Sequence, residues 1–299
     1  MTGKGMIFME VAKNLGTNGL SSIKRRRAIS KTIVYILLIS LSIVFLFPLI
    51  WMIFSSVKPE NEIMLWPPKI LPTKWDCMNY KEIFEIQPFA RYYFNSLFVT
   101  IFNVIGTVFS SAFVAFGFAR IRGKGRDVWF AILLATMMLP SQVTMIPVYM
   151  IWSRLGFVNT FWPLILPAYF GNAYYIFLLR QFFKTIPKEL EDAAYIDGCS
   201  TFGFFWKIML PLSKPALITV AILSFMGVWN DFLNPLIYLH DTSKYTLALG
   251  LLQFKGALII EWGPMMGASL LSLIPVILLF FFGQKYFVQG IATTGVKGA

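Results

Sequence analysis

Charged side chains are scarce in this sequence. Asp, Glu, Lys and Arg make up 13% of the 299 residues, whereas hydrophobic residues make up 57%. Soluble domains carry about a quarter charged residues. With so few charges and so many apolar side chains, lipid is the expected solvent for most of the surface. The composition therefore argues against a soluble domain and predicts an integral membrane protein, and the apolar segments described below predict that it is all-α.

Cysteine and histidine are almost absent. The chain has two cysteines, Cys77 and Cys199, and one histidine, His240. This excludes a Cys/His zinc cluster and a disulfide-rich ectodomain, so no metal site is predicted. In the topology described below, the two cysteines fall on opposite sides of the membrane and cannot pair.

Nucleotide-binding and catalytic signatures are also missing. The nearest approach to a Walker A motif spans Gly290 to Gly295, and it is followed by Val296 and Lys297 instead of Gly-Lys-Ser/Thr. HExxH, GxSxG and paired carboxylates do not occur in a plausible context. Asp231 is the one acidic residue well inside an apolar segment, and proton-coupled pumps usually need more. We therefore expect no catalytic residue and no bound cofactor in this chain.

The formal net charge of +12 raises the question of nucleic acid binding. The basic residues, however, cluster at the ends of apolar segments, as orientation signals and phospholipid contacts do. They form no basic stripe interleaved with aromatic residues. The charge pattern therefore predicts contact with membrane lipids and not with nucleic acid.

Six apolar segments predict six transmembrane helices. The first is longer than a signal-peptide core, so we interpret it as an uncleaved span that follows a polar tail, 1–31. The segments assigned to the cytoplasm contain 18 Lys and Arg, and those assigned to the outside contain 8, which places both termini in the cytoplasm. The transmembrane domain is predicted at 32–288 and a C-terminal tail at 289–299. The predicted spans are about 32–54, 94–119, 128–152, 161–183, 216–238 and 266–287.

Small residues and prolines modify two of these spans. The second span repeats small residues every four positions, at Gly106/Ser110 and at Ser111/Ala115/Ala119, which predicts close helix packing. The third contains Pro140 and Pro147, so it should kink or break. Transporters often use such interruptions along a pathway, and a simple kink is the alternative.

The segment 187–215 is too polar to cross a bilayer. Pro187 and the acidic residues after it suit a helix start, and Gly198 suits a helix end. Ser200 or Thr201 can cap a second helix, which Pro211 and Pro215 should end. Such a helix pair either contacts a partner on the water side or lies on lipid headgroups; its acidic residues disfavour the second possibility. Apolar stripes are predicted at Leu190, Ala193, Ala194 and Ile196, and at Phe202, Phe205, Trp206 and Met209.

This segment resembles a known signature. Asp192-Ala193-Ala194, three residues, Gly198, nine residues and then Ile208-x-Leu210-Pro211 follow the EAA pattern of permease subunits from bacterial binding-protein-dependent ABC importers. Asp192 stands where that family usually has Glu. From about residue 32 onward the chain is similar to the carbohydrate branch, the MalG-like permeases. The stretches that carry this similarity are 140–160, 228–239 and 287–298.

The resemblance implies a type I ABC importer permease fold in the bacterial cytoplasmic (inner) membrane. It also implies a second, homologous permease subunit, two cytoplasmic ATPase subunits that bind ATP and Mg, and an extracellular sugar-binding protein. The loop 187–215 would then lie in a groove of an ATPase subunit as a coupling helix. The tail at 290–298 either reaches the ATPase interface or is disordered. The implied ATPase-coupling residues are Glu191, Asp192, Ala193, Ala194, Gly198, Phe202, Ile208, Leu210 and Pro211.

The predicted function is therefore the translocation subunit of an ATP-driven importer for a sugar or oligosaccharide, without catalytic activity of its own. The alternatives are a stand-alone secondary transporter of a small polar solute and a membrane scaffold with no pathway. Aromatic and amide groups suit sugar rings and hydroxyls, although helix packing would use the same residues. The candidate pathway residues are Tyr149, Trp229, Asn230 and Asp231.

Overall fold

The structure, a computed structural model, describes the backbone of residues 4–256 and 260–295 and the side chains of residues 29–256 and 260–284. Within these ranges all regular structure is helical, apart from one isolated antiparallel bridge between Lys255 and Ile260. The predicted all-α class is confirmed for the part of the chain described.

In the part of the chain that the structure describes, three helices contain a segment long and apolar enough to cross a membrane. The first segment, Ile29–Ser55, belongs to α1 (Lys4–Ser55), and the second is α4 (Phe89–Arg120). The third, Trp262–Gln284, belongs to α15 (Trp262–Gly295). They coincide with the first, second and sixth predicted spans. The helix α15 continues beyond 287, where the sixth span was expected to end, and into the region predicted as a tail.

The third predicted span is broken. It consists of α5 (Arg126–Thr136) and α6 (Ser141–Arg154), which meet at an angle of 95°. Pro140 stands just before α6 in an extended conformation, with φ −60° and ψ 134°. Pro147 lies inside α6 without ending it. The expected interruption is confirmed at Pro140.

The continuous helix expected over 161–183 is interrupted. Its parts are α7 (Trp162–Ile165), a 3₁₀ turn (Leu166–Phe170) and α8 (Ala173–Thr185). Gly171 has φ +89°, which a right-handed helix does not accommodate, and the Asn172 side chain accepts hydrogen bonds from the backbone N–H groups of Tyr174 and Tyr175 in the first turn of α8. This glycine–asparagine pair therefore ends one helical segment and starts the next.

The fifth predicted span also contains a break. The helix α12 (Lys214–Trp229) ends before Asn230, and α13 (Leu233–Tyr238) follows. The Asp231 carboxylate accepts hydrogen bonds from the backbone N–H of Asn234 at 3.2 Å and from its side-chain amide at 2.7 Å. At its other end α12 meets the preceding helical segment, Thr201–Leu212, at 76°. If each bent pair counts as one span, the described residues provide up to five apolar crossings.

The helix α4 lies at the centre of the packing. Ser111 and Ala115 are fully buried, and Ser110 Oγ donates to the carbonyl of Ala168 at 2.8 Å. A Cβ on Gly106 would lie 2.6 Å from the ring of Tyr169. The small residues of the second span therefore permit close packing, as predicted.

On the predicted outer side, short helices join the ends of the spans. Glu60, at the start of α2 (Glu60–Ile63), accepts hydrogen bonds from the backbone N–H groups of Trp262 and Gly263, both at 2.8 Å. We call this contact the outer clip. It connects the exit of the first span to the start of the last. The other short elements here are α3 (Met78–Ile86), α14 (Leu247–Gly250) and two 3₁₀ turns, Thr242–Lys244 and Leu251–Phe254.

Candidate functional site

The first half of the loop 187–215 is a short acidic helix. This helix, α9 (Lys188–Ile196), follows Pro187 and has Glu189 and Glu191 in its first turn, where the helix dipole favours negative charge. It ends at Gly198, whose φ of +78° is left-handed. The predicted glycine stop is confirmed.

The second half is a helix with one widened turn. Ser200 Oγ caps it by accepting the backbone N–H of Gly203 at 3.1 Å, as predicted. It consists of α10 (Thr201–Phe204), a π turn (Phe205–Met209) and α11 (Leu210–Leu212). Pro211 was expected to end this helix, but it lies inside α11. A proline ring clashes with the carbonyl one turn earlier in a regular helix, and the widened turn lies at that position.

The buried side of α9 does not coincide with the predicted apolar stripe. Glu191 and Ala194 are buried against the membrane helices. Leu190 and Ala193, expected on the same stripe as Ala194, are exposed, and Ile196 is 86% exposed. Together with Asp192, these exposed residues form what we call the α9 face: Leu190, Asp192, Ala193 and Ile196.

The aromatic stripe of the second helix also divides. Phe205 and Met209 are buried as expected, but Phe202 and Trp206 are more than half exposed. Phe204, which the predicted stripe omitted, is fully buried. The pattern that indicated one apolar side therefore covers both a buried and an exposed set. Of the remaining implied coupling residues, Ile208 and Leu210 are partly buried and Pro211 is exposed.

Rings from α4 and the second helix pack along each other. Phe116 lies 4.9 Å from Phe205, centroid to centroid, and Phe113 lies 6.2 Å from Phe202. Trp206 lies 5.9 Å from Phe109. These contacts place the loop against the predicted cytoplasmic half of the second span.

A buried ion pair joins α4 to α9. Arg120 Nη1 lies 3.3 Å from Glu191 Oε2, and the two side chains are only 8% and 10% exposed. Arg120 Nη2 donates to the carbonyls of Phe183 at 2.7 Å and Ile186 at 2.6 Å. We call this group the Arg120 clasp. Sequence reasoning assigned Arg120 only to a basic topological loop and missed the pair, whose members are 71 residues apart.

A second arginine holds the neighbouring helices. Arg180 on α8 pairs with Asp127 on α5 at 3.2 Å and donates through Nε to the carbonyl of Phe118 at 3.2 Å. Its guanidinium lies 3.8 Å from the centroid of the Phe130 ring. The ends of α4, α5 and α8 on the predicted cytoplasmic side are therefore connected through buried arginine side chains.

The four candidate pathway residues occupy different environments. Trp229 is buried, and its indole N–H donates to the carbonyl of Ser272 at 3.1 Å. Tyr149 stacks on Tyr238 with centroids 5.9 Å apart. Asn230 is exposed, and its side-chain amide donates to the carbonyl of Met226 at 2.8 Å.

Asp231 lines a small cavity together with polar residues such as Ser96 and Asn103 and apolar residues such as Val99 and Leu164. The volume of this cavity is about 30 Å³, enough for a water molecule but not for a sugar ring. A larger cavity, of about 360 Å³, lies between α4, the π turn and α12 and is lined by apolar side chains such as Val108 and Leu217.

Comparison with known proteins identifies the family of this chain. Residues 109–293, more than half of the chain, match the family described as binding-protein-dependent transport system inner membrane component. The chain belongs to this family. The matched residues of this permease include the whole 187–215 loop and the Arg120 clasp.

Individual relatives agree over nearly the full length of the permease. It is 39% identical over 278 residues to the probable ABC transporter permease protein YurM of Bacillus subtilis, covering 92% of this chain and 91% of the relative. It is 34% identical to the arabinooligosaccharides transport system permease protein AraQ of the same species, covering 86% and 92%. A solved bacterial ABC transporter involved in import of the acidic polysaccharide alginate matches with a TM-score of 0.77 and 25% identity, covering 87% of this chain and 96% of that one.

Proposed function

We propose that this permease forms half of the translocation pathway of an ATP-driven importer for a sugar or oligosaccharide. Family membership supports the permease role. Relatives named for arabinooligosaccharide and galactooligosaccharide transport, and the alginate importer, support a carbohydrate substrate. The observation that carries the coupling role is the α9 face, which exposes a carboxylate and apolar side chains on the side away from the membrane helices. On the opposite side of α9, Glu191 and Ala194 are buried against those helices.

In this proposal the chain crosses the bacterial inner membrane six times, with both termini in the cytoplasm. The fourth and fifth crossings are then broken helices, each with a polar residue at the break, Asn172 and Asp231. Irregular backbone at membrane depth is tolerated where it is buried in protein or lines a water-filled path. The excess of basic residues on the assigned cytoplasmic side supports this orientation.

The proposed partners are a second homologous permease, two ATPase subunits that bind ATP and Mg, and an extracellular sugar-binding protein. Within the described residues, the apolar segment of α1 and the whole of α6 have almost no buried side chains. Such surfaces suit a second permease subunit and lipid. A further solved structure with the same fold is described as an alginate ABC transporter in complex with an alginate pentasaccharide-bound periplasmic protein, which supports the last partner.

For the sugar pathway, we propose direct contacts by Asn230 and Asp231 and supporting roles for Trp229 and Tyr149. The first two carry polar atoms at the break between α12 and α13. Trp229 and Tyr149 hold neighbouring segments through the hydrogen bond to Ser272 and the stack on Tyr238. Because Asp231 already accepts two hydrogen bonds from Asn234, it suits this structural and hydroxyl-binding role better than the proton transfer that a stand-alone secondary transporter would need.

A co-purification experiment tests the coupling role. The tagged permease, expressed with its ATPase subunit, should carry ATP hydrolysis activity through purification. Ile196→Glu should reduce the recovered ATPase at least tenfold, because the carboxylate replaces an apolar side chain that is 86% exposed in the isolated chain and that the proposal places against the ATPase subunit. The matched control is Leu71→Glu, which changes a side chain 61% exposed on the predicted outer side and should retain the ATPase.

Two results would contradict the proposal. One is full ATPase recovery with Ile196→Glu at unchanged permease yield. The other is full ATP-coupled transport after deletion of residues 188–209.

A further inference from the structure

We propose that Arg120 is a positioning residue that fastens the coupling loop to the second span, so that the loop and α4 move as one body. This inference rests on the proposed function, since it names how displacement of the loop by an ATPase subunit reaches the membrane. It commits to α4 as the first element displaced, although the covalent connections of the loop run to α8 and α12.

The bonds of the clasp come from three segments of the chain. Arg120 is the last residue of α4, Glu191 lies on α9, and the carbonyls of Phe183 and Ile186 lie at the end of α8 and in the link to α9. One planar guanidinium therefore ties α4 to both ends of the Phe183–Glu191 stretch. A lysine ammonium lacks this fixed fork of donors and could not satisfy the same acceptors together.

Burial makes the clasp rigid. Both side chains are about nine-tenths buried, where a hydrogen-bonded charge pair is strong and removal of one partner leaves the other charge uncompensated. Glu191 also accepts a hydrogen bond through Oε1 from the hydroxyl of Tyr195 at 3.2 Å. The carboxylate is thus held from both sides, and α9 cannot rotate about its axis without breaking the pair.

The second half of the loop follows α4 as well. Phe204 and Phe205 pack against Phe116 on α4, with centroid distances of 6.4 and 4.9 Å. By contrast, the chain turns by 76° between Leu212 and Lys214 before it continues as α12. The buried hydroxyl of Ser213 at this turn has no hydrogen-bond partner among the described residues. The loop is therefore bonded to α4 across its length and joined to α12 through a bend.

The main test compares two arginines at the same junction. Arg120→Gln removes the clasp, and Arg122→Gln removes an equal charge two residues away, from an exposed side chain. The complete importer, with permeases, ATPase subunits and binding protein, is reconstituted in proteoliposomes. Transport per ATP hydrolysed should fall at least tenfold for Arg120→Gln, with ATPase subunits still bound, and should stay within twofold of the parent for Arg122→Gln.

A second pair of variants keeps the proposal testable if Arg120→Gln fails to fold. Glu191→Gln keeps the bonds between Arg120 and the two carbonyls and changes only the charge of the partner. Its matched control is Glu189→Gln, an exposed residue on the same helix. An assembled Glu191→Gln importer with the parental ratio of transport to hydrolysis would overturn the proposal.

A distance measurement separates this inference from the proposed function. Spin labels at Gly117→Cys on α4, where a Cβ meets no atom within 4 Å, and at Ile196→Cys on α9 report the motion of one helix against the other. With both native cysteines replaced by serine, the width of the distance distribution should at least double on Arg120→Gln and stay unchanged on Arg122→Gln. This measurement needs no ATPase subunit. It therefore tests whether Arg120 holds α9 against α4 even if the chain couples to no such subunit. Equal widths in both variants would overturn the inference.

Discussion

At the scale of single residues, Gly198 shows how a backbone angle can be tested apart from packing. Its φ of +78° is left-handed, and a Cβ added there would meet no atom within 4 Å. A side chain at this position therefore strains its own backbone without clashing with residues elsewhere in the fold. The cost for an L residue in this region is roughly 1–2 kcal/mol, and less for asparagine.

We predict that Gly198→Ala loosens the bend between α9 and α10, whereas Gly198→Asn does so less. A strain of about 1 kcal/mol corresponds to roughly a fivefold change in the open population. Hydrogen exchange of the backbone amides of 188–200 should rise by about that factor for alanine. Gly123→Ala is the matched control, since that glycine also has open space around it but no positive φ. Equal exchange in the alanine and asparagine variants would contradict this account.

At the scale of elements, the start of α15 combines two glutamates with different roles. Glu60 caps the helix from a distance, while Glu261 immediately precedes it. Burial raises the pKa of Glu261, and the nearby Glu82 and Glu60 carboxylates raise it further. Since the folded state favours protonated Glu261, its contribution to stability is complete below the ordinary pKa of 4.5 and is lost as the pH rises through the raised value.

Glu261→Gln, which mimics the protonated form, should therefore raise the unfolding temperature at pH 8 and change it little at pH 4. Thermal unfolding in detergent at the two pH values measures the difference. Glu85→Gln is the control, because Glu85 is exposed and its ion-pair partner among the described residues is Lys81, one turn away on α3. A gain for Glu261→Gln that is larger at pH 4 than at pH 8 would have the wrong sign for this explanation.

Local sequence signals predicted where helices begin and end better than they predicted which residues the helices pack against. Pro187, Gly198 and Ser200 act on their own backbone, so the limits of α9 and α10 could be derived from sequence. The break at Gly171 and Asn172 had equally local signals, but the apolar residues around it concealed them. Pro140 and Pro147 gave the same signal with different outcomes, because a freed carbonyl breaks a helix only where the surrounding fold favours the bend.

The orientation of α9 could not be read from its pattern. Ala193 and Ala194 are chemically identical, yet one faces solvent and the other is buried. The choice depends on Arg120, which anchors the adjacent Glu191 from another helix. Such a pair has no periodicity, so neither the clasp nor the inner face of the loop could be predicted without the structure.

At the scale of the whole molecule, the two native cysteines report the proposed topology. Cys77 is exposed between α1 and α4, and Cys199 is partly exposed at the bend of the 187–215 loop. The six-span proposal places the first outside and the second in the cytoplasm. A membrane-impermeant maleimide should label Cys77 in intact cells and should label Cys199 only after permeabilisation. Because Cys199 is less exposed, its labelling should be slower than that of Cys77.

The single variants Cys77→Ser and Cys199→Ser assign each signal to one site. The permease is expressed without ATPase subunits for this measurement, so that no partner covers the loop. Labelling of Cys199 in intact cells would reverse the assigned orientation.

The outer clip has a consequence for the synthesis of this protein. Glu60 and Trp262 are 202 residues apart in the chain, and at about 5–20 residues per second the ribosome needs roughly 10–40 s to make the sequence between them. Throughout that interval the Glu60 carboxylate lacks the helix start that it caps in the finished fold. A nascent chain that stalls before Trp262 therefore lacks the contact that connects the exit of its first span to the start of its last.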